Sequence, residues 1–292
     1  MLNVNDYNAQ SLAQPTNLRA MLRSGELLWG TSCRIASEEA ARIVATLPHH
    51  FCFIDSEHSP LNATLLVSLV KTIQQYSEGR MVPIVRIAPN STDLINYVLN
   101  AGAGGIVMPH VQNAVQNAAQ AEAFVRLAKF PPLGERSYPP MALLGAQTRT
   151  RDGQTVYDIW NEHTAIFCQI EDVEGIKNGE EIARVPGVDA IMVGAGDLRC
   201  SLGLAVGSQH GNEQVFLDAL EKVQHAADTN GLPVLGFAMT PEILHHRLER
   251  GWRAFMVHSD GYGVFTSGTE SFVKGVQLSE QILAREKIVV NG

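Results

Sequence analysis

Two carboxylates close two apolar runs of the chain. Glu171 ends FCQIE and Asp197 ends IMVGAGD, with an amphipathic helical pattern between them. Strands of a parallel sheet joined by such a helix point the same way, so their C-terminal ends lie side by side and the two acids meet at one rim. Like charges brought together repel. A hard cation with oxygen ligands, Mg²⁺ or else Mn²⁺ or Co²⁺, relieves that repulsion. The competing reading makes Glu171 the cap of a helix beginning near Gly175 and Asp197 the cap of a loop. Having both acids together, with Gly194 and Gly196 beside Asp197, favours the metal.

Arg86 ends the otherwise apolar strand MVPIVRI, and a guanidinium that always carries its charge needs an anionic partner when buried. Glu171, Asp197 or a substrate carboxylate would serve, and a structural ion pair across the rim is the alternative. His58 stands three residues beyond Asp55, where an imidazole can move a proton near neutral pH. A metal, an arginine and a histidine at one rim suit enolate chemistry on a 2-oxo acid such as pyruvate. The substrate would chelate the metal, Arg86 would stabilise charge on the keto oxygen, and His58 would carry the proton. Gly194 and Gly196 let backbone N–H groups approach a carboxylate. No lysine ends a predicted strand, which disfavours a Schiff base.

The elements that must position these residues alternate. Strands are predicted at Leu27–Trp29, Phe51–Asp55, Val82–Ile87, Gly105–Pro109, Ala165–Glu171, Ala190–Val193, Pro233–Phe237 and Ala254–His258. Helices lie between them, at Ala63–Tyr76, Asp93–Asn100 (capped by Ser91), Ala114–Lys129, Lys177–Val185, Gln214–Asn230 and Pro241–Arg250. A last helix covers about Glu270–Arg285. Eight βα units predict a closed (β/α)₈ TIM barrel of parallel strands, with an open doubly wound sheet as runner-up. Strand ends then mark the active face: Trp29, Asp55, Glu57, His58, Arg86, Pro109, His110, Glu171, Asp197, Phe237 and His258. Phe130 to His163 reads as irregular. The 292 residues are expected to form one domain, 1–292, with a short polar extension over 1–17.

A net charge of −8 without a Lys/Arg cluster argues against nucleic acid or an anionic membrane as partner. No apolar run reaches the ~18 residues of a span, and the polar start lacks a signal-peptide core, so the cytoplasm is expected. Cys33, Cys52, Cys168 and Cys200 are too dispersed for a disulfide framework or a zinc site.

The runs FIDSEHSP, PIVRIAP, AGAGGIVMPHVQN, PPLGERSY, QIEDVEGIKN, VDAIMVGAGDL and GWRAFMVHSD, in this order from Trp29 to Asp260, resemble the HpcH/HpaI aldolase family of metal-dependent pyruvate aldolases. PHV with GERSY is more similar to the macrophomate synthase branch, which decarboxylates oxaloacetate. The resemblance implies Glu171 and Asp197 as metal ligands, His58 as acid/base and Arg86 beside the enolate oxygen. It further implies that the backbone amides of Gly196 and Asp197 hold the substrate carboxylate, that Gln169 is a polar neighbour of the metal, and that Tyr157 contacts substrate. It implies a carbon–carbon lyase working through a metal-bound pyruvate enolate, by oxaloacetate decarboxylation, by cleavage of 4-hydroxy-2-oxo acids, or by both. A condensing enzyme, an acyl-CoA lyase of the citrate lyase kind and a silent binding barrel are the alternatives. Hexamers of dimers that exchange the last helix are implied as well, with GYGVFTSG as hinge. Two departures stand out. Asn100 replaces an aspartate that pairs with the histidine, and Ala195 replaces the proline of GPAD.

Overall fold

The computed structural model describes residues 8–11, 14–88, 91–109, 118–139, 152–205 and 210–290. Among these, β1 (Asn8–Ser11) and β2 (Gln14–Thr16) form a small antiparallel pair, so part of the polar extension is a ribbon. The other eight strands are β3 (Leu28–Cys33), β4 (Phe51–Asp55), β5 (Val82–Arg86), β6 (Gly105–Met108), β7 (Ala165–Ile170), β8 (Ala190–Val193), β9 (Val234–Phe237) and β10 (Ala254–Ser259). They close into a barrel in the order β10-β3-β4-β5-β6-β7-β8-β9, and every pairing is parallel. This is the (β/α)₈ architecture, and the open sheet is excluded.

Twelve helices are described: α1 (Leu18–Arg23), α2 (Glu38–Ala45), α3 (Ala63–Tyr76), α4 (Asp93–Asn100), α5 (Ala118–Ala128), α6 (Val156–His163), α7 (Val173–Lys177), α8 (Gly179–Ala183), α9 (Ala195–Ser201), α10 (Gln214–Thr229), α11 (Pro241–Glu249) and α12 (Asp260–Val290). Each barrel strand alternates between two cores. Phe51 and Phe53, Val82 and Ile84, Ala165 and Phe167, Ala190 and Met192 fill the barrel interior. Their neighbours Cys52, Ile54, Val85, Ile166, Cys168, Ile170, Ile191 and Val193 pack outward against the helices. Leu18, Met21 and Leu22 of α1 join the interior cluster and plug the end at which the strands begin. Extending the same period of two to the other end places Asp55, Arg86, Gln169, Glu171 and Gly194 inward at the open mouth.

Several expectations are corrected. The stretch Phe130–His163 contains α6, started by a capping box in which Thr155 and Asp158 bond each other's backbone N–H. The glycine-bearing loop after β8 coils into α9. The expected helix over Lys177–Val185 starts earlier, at Val173, and is broken at Asn178 into α7 and α8. Ser91 does not cap α4: the cap position is Thr92, which makes no side-chain cap bond. Residues 114–117 of the predicted fifth helix and His110 lie outside the described residues. The last helix starts at Asp260, so GYGVFTSG is helical and not a hinge loop. No described helix is long and apolar enough to cross a membrane.

Met21 is fully buried in the plug. Met21→Ala should therefore cost about 2–5 kcal/mol of unfolding free energy in a urea titration, whereas truncating exposed Ile43 should cost little.

Candidate active site

At the mouth, Asp55 and Arg86 are register partners on adjacent strands. Both point inward because they share parity with the interior phenylalanine and valine positions below them. Arg86 donates from Nε to Asp55 Oδ1 at 2.9 Å and from Nη2 to Oδ2 at 2.5 Å, a two-pronged contact, and its guanidinium lies over the Phe53 ring at 5.4 Å. Its remaining nitrogen, Nη1, lies 3.2 Å from Glu57 Oε2. Asp55 is fully buried and Arg86 nearly so. Arg86 is thus held in a structural ion pair with Asp55 and Glu57, the alternative the sequence left open, and the Glu171 charge also acts on it.

Asp55 also organises the turn beyond its strand. Its Oδ1 accepts the backbone N–H of Glu57 at 3.1 Å and of His58 at 3.3 Å, which folds the chain back over the strand end and presents His58. The imidazole is exposed at the mouth, with Nε2 3.8 Å from Glu57 Oε2. Burial alone would push the Asp55 carboxyl up, but the hydrogen bonds and charge of Arg86 outweigh it and hold Asp55 below its ordinary value. Burial acts on Glu57 in the same sense and prevails there. The Arg86 charge opposes it, the Glu171 charge adds to it, and the Glu57 carboxyl is raised. Arg86 is held above its usual value because the Asp55 hydrogen bonds and charge overcome its desolvation.

Across the barrel, Glu171 is buried just past β7, and Gln169 Nε2 donates to its Oε2. The capping duty that competed for Glu171 belongs to Asp172, whose Oδ1 accepts the Gly175 N–H at 2.6 Å. Gly194 is the reason the carboxylate fits: a Cβ there would collide with Glu171 Oε2 and crowd Gln169 Nε2. Asp197 lies exposed in the first turn of α9, and Gly196 beside it is half-buried. Among the described residues no group of three or more His, Cys, Asp or Glu side chains is placed to hold a metal. Two carboxylates beside an open mouth nevertheless fit a hard cation such as Mg²⁺, which keeps several waters and takes one or two protein carboxylates plus substrate oxygens.

The structure brings His58, Arg86, Gln169, Glu171, Gly196 and Asp197 to the end of the barrel where the strands finish. It does not bring Tyr157 there. That ring packs on Phe130 at 5.2 Å and Tyr138 at 5.9 Å, beside the end where the strands begin, since α6 leads directly into β7. Asn100 ends α4, and its Oδ1 accepts from Arg136 Nη2 at 2.6 Å. Sequence reasoning put Asp55 and Glu57 on the active face but did not pair them with Arg86. The signal was present, because two neighbouring strands end in residues of opposite charge, Asp55 and Arg86, at the same parity.

Residues 33–264 match the HpcH/HpaI aldolase/citrate lyase family. The chain belongs to this family. It is 30% identical over 265 residues to the 2-dehydro-3,6-dideoxy-6-sulfogluconate aldolase of Pseudomonas putida, covering 90% of this chain and 98% of that one. It is 30% identical over 248 residues to the hydroxypyruvate/pyruvate aldolase of Paraburkholderia phytofirmans, covering 83% and 91%. Among solved structures, macrophomate synthase superposes with a TM-score of 0.86 at 28% identity, covering 97% of this chain and 96% of that one. This HpcH/HpaI protein is accordingly a lyase of the aldolase type.

Removing one member of a buried ion pair strands the other. Asp55→Ala should cost about 3–5 kcal/mol at neutral pH. Because the folded-state pKa of Asp55 is depressed, its contribution is present above the ordinary aspartate value of ~3.9 and lost as pH falls through the lower folded value. The stability gap between wild type and Asp55→Ala in urea titrations should narrow only in acid. A gap independent of pH would contradict the pairing.

Proposed function

We propose that this protein is a divalent-metal-dependent carbon–carbon lyase acting on 2-oxo acids through the enolate of pyruvate, with oxaloacetate and 4-hydroxy-2-oxo acids as its substrate class. The observation that carries the reading is what meets at the mouth: carboxylates following β7 and β8, and a buried, carboxylate-locked guanidinium with a histidine at β4 and β5. A cation held by Glu171 and Asp197 supplies, when bound, Lewis-acid stabilisation of negative charge on the substrate keto oxygen.

The chain's own residues do the rest. Gly196 and Asp197 lie in the first turn of α9, and their backbone N–H groups are the ones the family resemblance assigns to the substrate carboxylate. Arg86, fixed by Asp55, presents a preorganised positive charge to the developing oxyanion without having to reorganise during the reaction. In aldol cleavage the His58 imidazole accepts the proton of the 4-hydroxyl, the C3–C4 bond breaks, an aldehyde leaves, and the electron pair forms the enolate. In decarboxylation the bond to the departing carboxylate breaks and CO₂ leaves, so no proton is removed first. Asn100, where α4 turns into the start of β6, is bonded to Arg136 and stands away from His58; the carboxylate beside the imidazole is Glu57.

Pyruvate release from oxaloacetate and from a 4-hydroxy-2-oxo acid, with and without chelator, tests the reading. Glu171→Gln and Asp197→Asn should each abolish metal binding and both activities while the far-ultraviolet spectrum is unchanged. Arg86→Ala should lower both rates on the order of 10²–10³. His58→Ala should lower cleavage on the order of 10²–10⁴ and decarboxylation far less. Equal losses in the two reactions would remove the proton-transfer role from His58.

We also propose that the protein is a homo-oligomer in which α12 is exchanged between copies, and that it works in the cytoplasm. Val264, Phe265, Phe272, Leu278 and Leu283 are exposed along α12, more apolar surface than a solvated helix keeps. Trp29 and Val257, on the outward faces of the neighbouring strands β3 and β10, are only partly buried. A second copy's α12 would cover them. Phe272→Glu should shift the mass measured by light scattering to that of a smaller assembly; an unchanged mass would contradict the exchange.

A further inference from the structure

Arg34 has no part in the chemistry assigned to Glu171, Asp197, Arg86 and His58. On β3, Leu28 lies in the interior cluster and Gly30 faces the interior Phe51. Continuing in steps of two through Ser32, Arg34 is the next inward position, one residue past the strand end and therefore at the mouth. Its backbone is pinned. The Arg34 and Ile35 N–H groups donate to the Asp260 carboxylate at 3.0 and 2.9 Å, and its carbonyl accepts from Ser59 Oγ at 2.9 Å.

The side chain is held far less. Its single ion pair among the described residues runs from Nη2 to Asp55 Oδ2 at 3.3 Å, and that oxygen already accepts Arg86 Nη2 at 2.5 Å. One carboxylate charge thus serves two guanidinium groups. Arg86 has Glu57 as a second partner, whereas Arg34 stays 43% exposed with donors facing the mouth. In the closed strand order β3 stands diametrically opposite β7, the strand that leads to Glu171. A substrate whose 2-oxo acid end lies at β7 and β8 extends across the mouth toward β3.

We propose that Arg34 is a specificity-determining residue that binds the distal carboxylate of the substrate, so that the preferred 2-oxo acids carry a second acid group at their far end. A planar fork of N–H donors matches a carboxylate in two-pronged fashion, which an ammonium cannot do. The proposal rests on the 2-oxo acid reading of the site. Its test separates the two.

Wild type, Arg34→Ala and Arg34→Lys are titrated calorimetrically, with Mg²⁺ present, with 2-oxoglutarate and with 2-oxopentanoate. These ligands share a chain length and differ in the terminal carboxylate. Wild type should bind the diacid on the order of 10- to 100-fold more tightly. Arg34→Ala should erase that preference and leave 2-oxopentanoate affinity unchanged, and Arg34→Lys should restore only part of it. A preference that survives in Arg34→Ala, no preference in wild type, or an equal loss for both ligands would overturn the assignment of Arg34 while leaving the 2-oxo acid site standing. Failure of both ligands to bind wild type would overturn the site reading and this proposal with it.

Discussion

A guanidinium buried at the mouth of an apolar barrel must have a carboxylate beside it, and the Asp55–Arg86 pair meets that need with two hydrogen bonds in register across neighbouring strands. Much of the mouth depends on this contact. Asp55 spends its remaining acceptor capacity on the backbone N–H groups that turn the chain and present His58. Arg86, immobilised on one side by Asp55 and from below by the Phe53 ring, turns its remaining nitrogen to Glu57. The pair is stable as ions in the dry interior because neither partner is exposed alone.

The opposite side of the barrel gathers negative charge instead. Glu171 is buried, held by Gln169, and accommodated only because residue 194 has no side chain. Asp172 takes over the helix cap next to it. The guanidinium groups of Arg34 and Arg86 at β3 and β5 are matched by Asp55 and Glu57 after β4, whereas Glu171 and Asp197 after β7 and β8 add further carboxylates to the mouth.

Much of this is legible in the chain itself. Phe51–Asp55, Ala63–Tyr76 and Asp93–Asn100 are bounded as their apolar period and flanking polar residues predict. The same period aligns Arg86, Glu171 and Gly194 on the inner face. What the pattern hides has physical causes. The helix α9 spans only seven residues and begins in alanine and glycine, so composition signals a loop while the chain continuing from β8 supports a turn of helix. The helix α6 is masked by its polar length, although Thr155 and Asp158 stand at capping-box spacing. The tyrosine at 157 is a candidate by resemblance alone, and topology places it at the opposite end from Glu171. Pairing between strands needs register, which a single sequence does not state, and this is why the sequence leaves open which carboxylate Arg86 meets while the structure selects Asp55.

If this mouth forms the enolate of pyruvate with the help of a divalent cation at Glu171 and Asp197, the methyl protons of pyruvate become exchangeable there. NMR in D₂O follows them, with the protein stripped of metal and then supplied with Mg²⁺ or Mn²⁺. Deuterium should enter the methyl group only when protein and cation are both present. Exchange that proceeds equally well in the stripped protein, or no exchange with any divalent cation, would contradict the enolate mechanism.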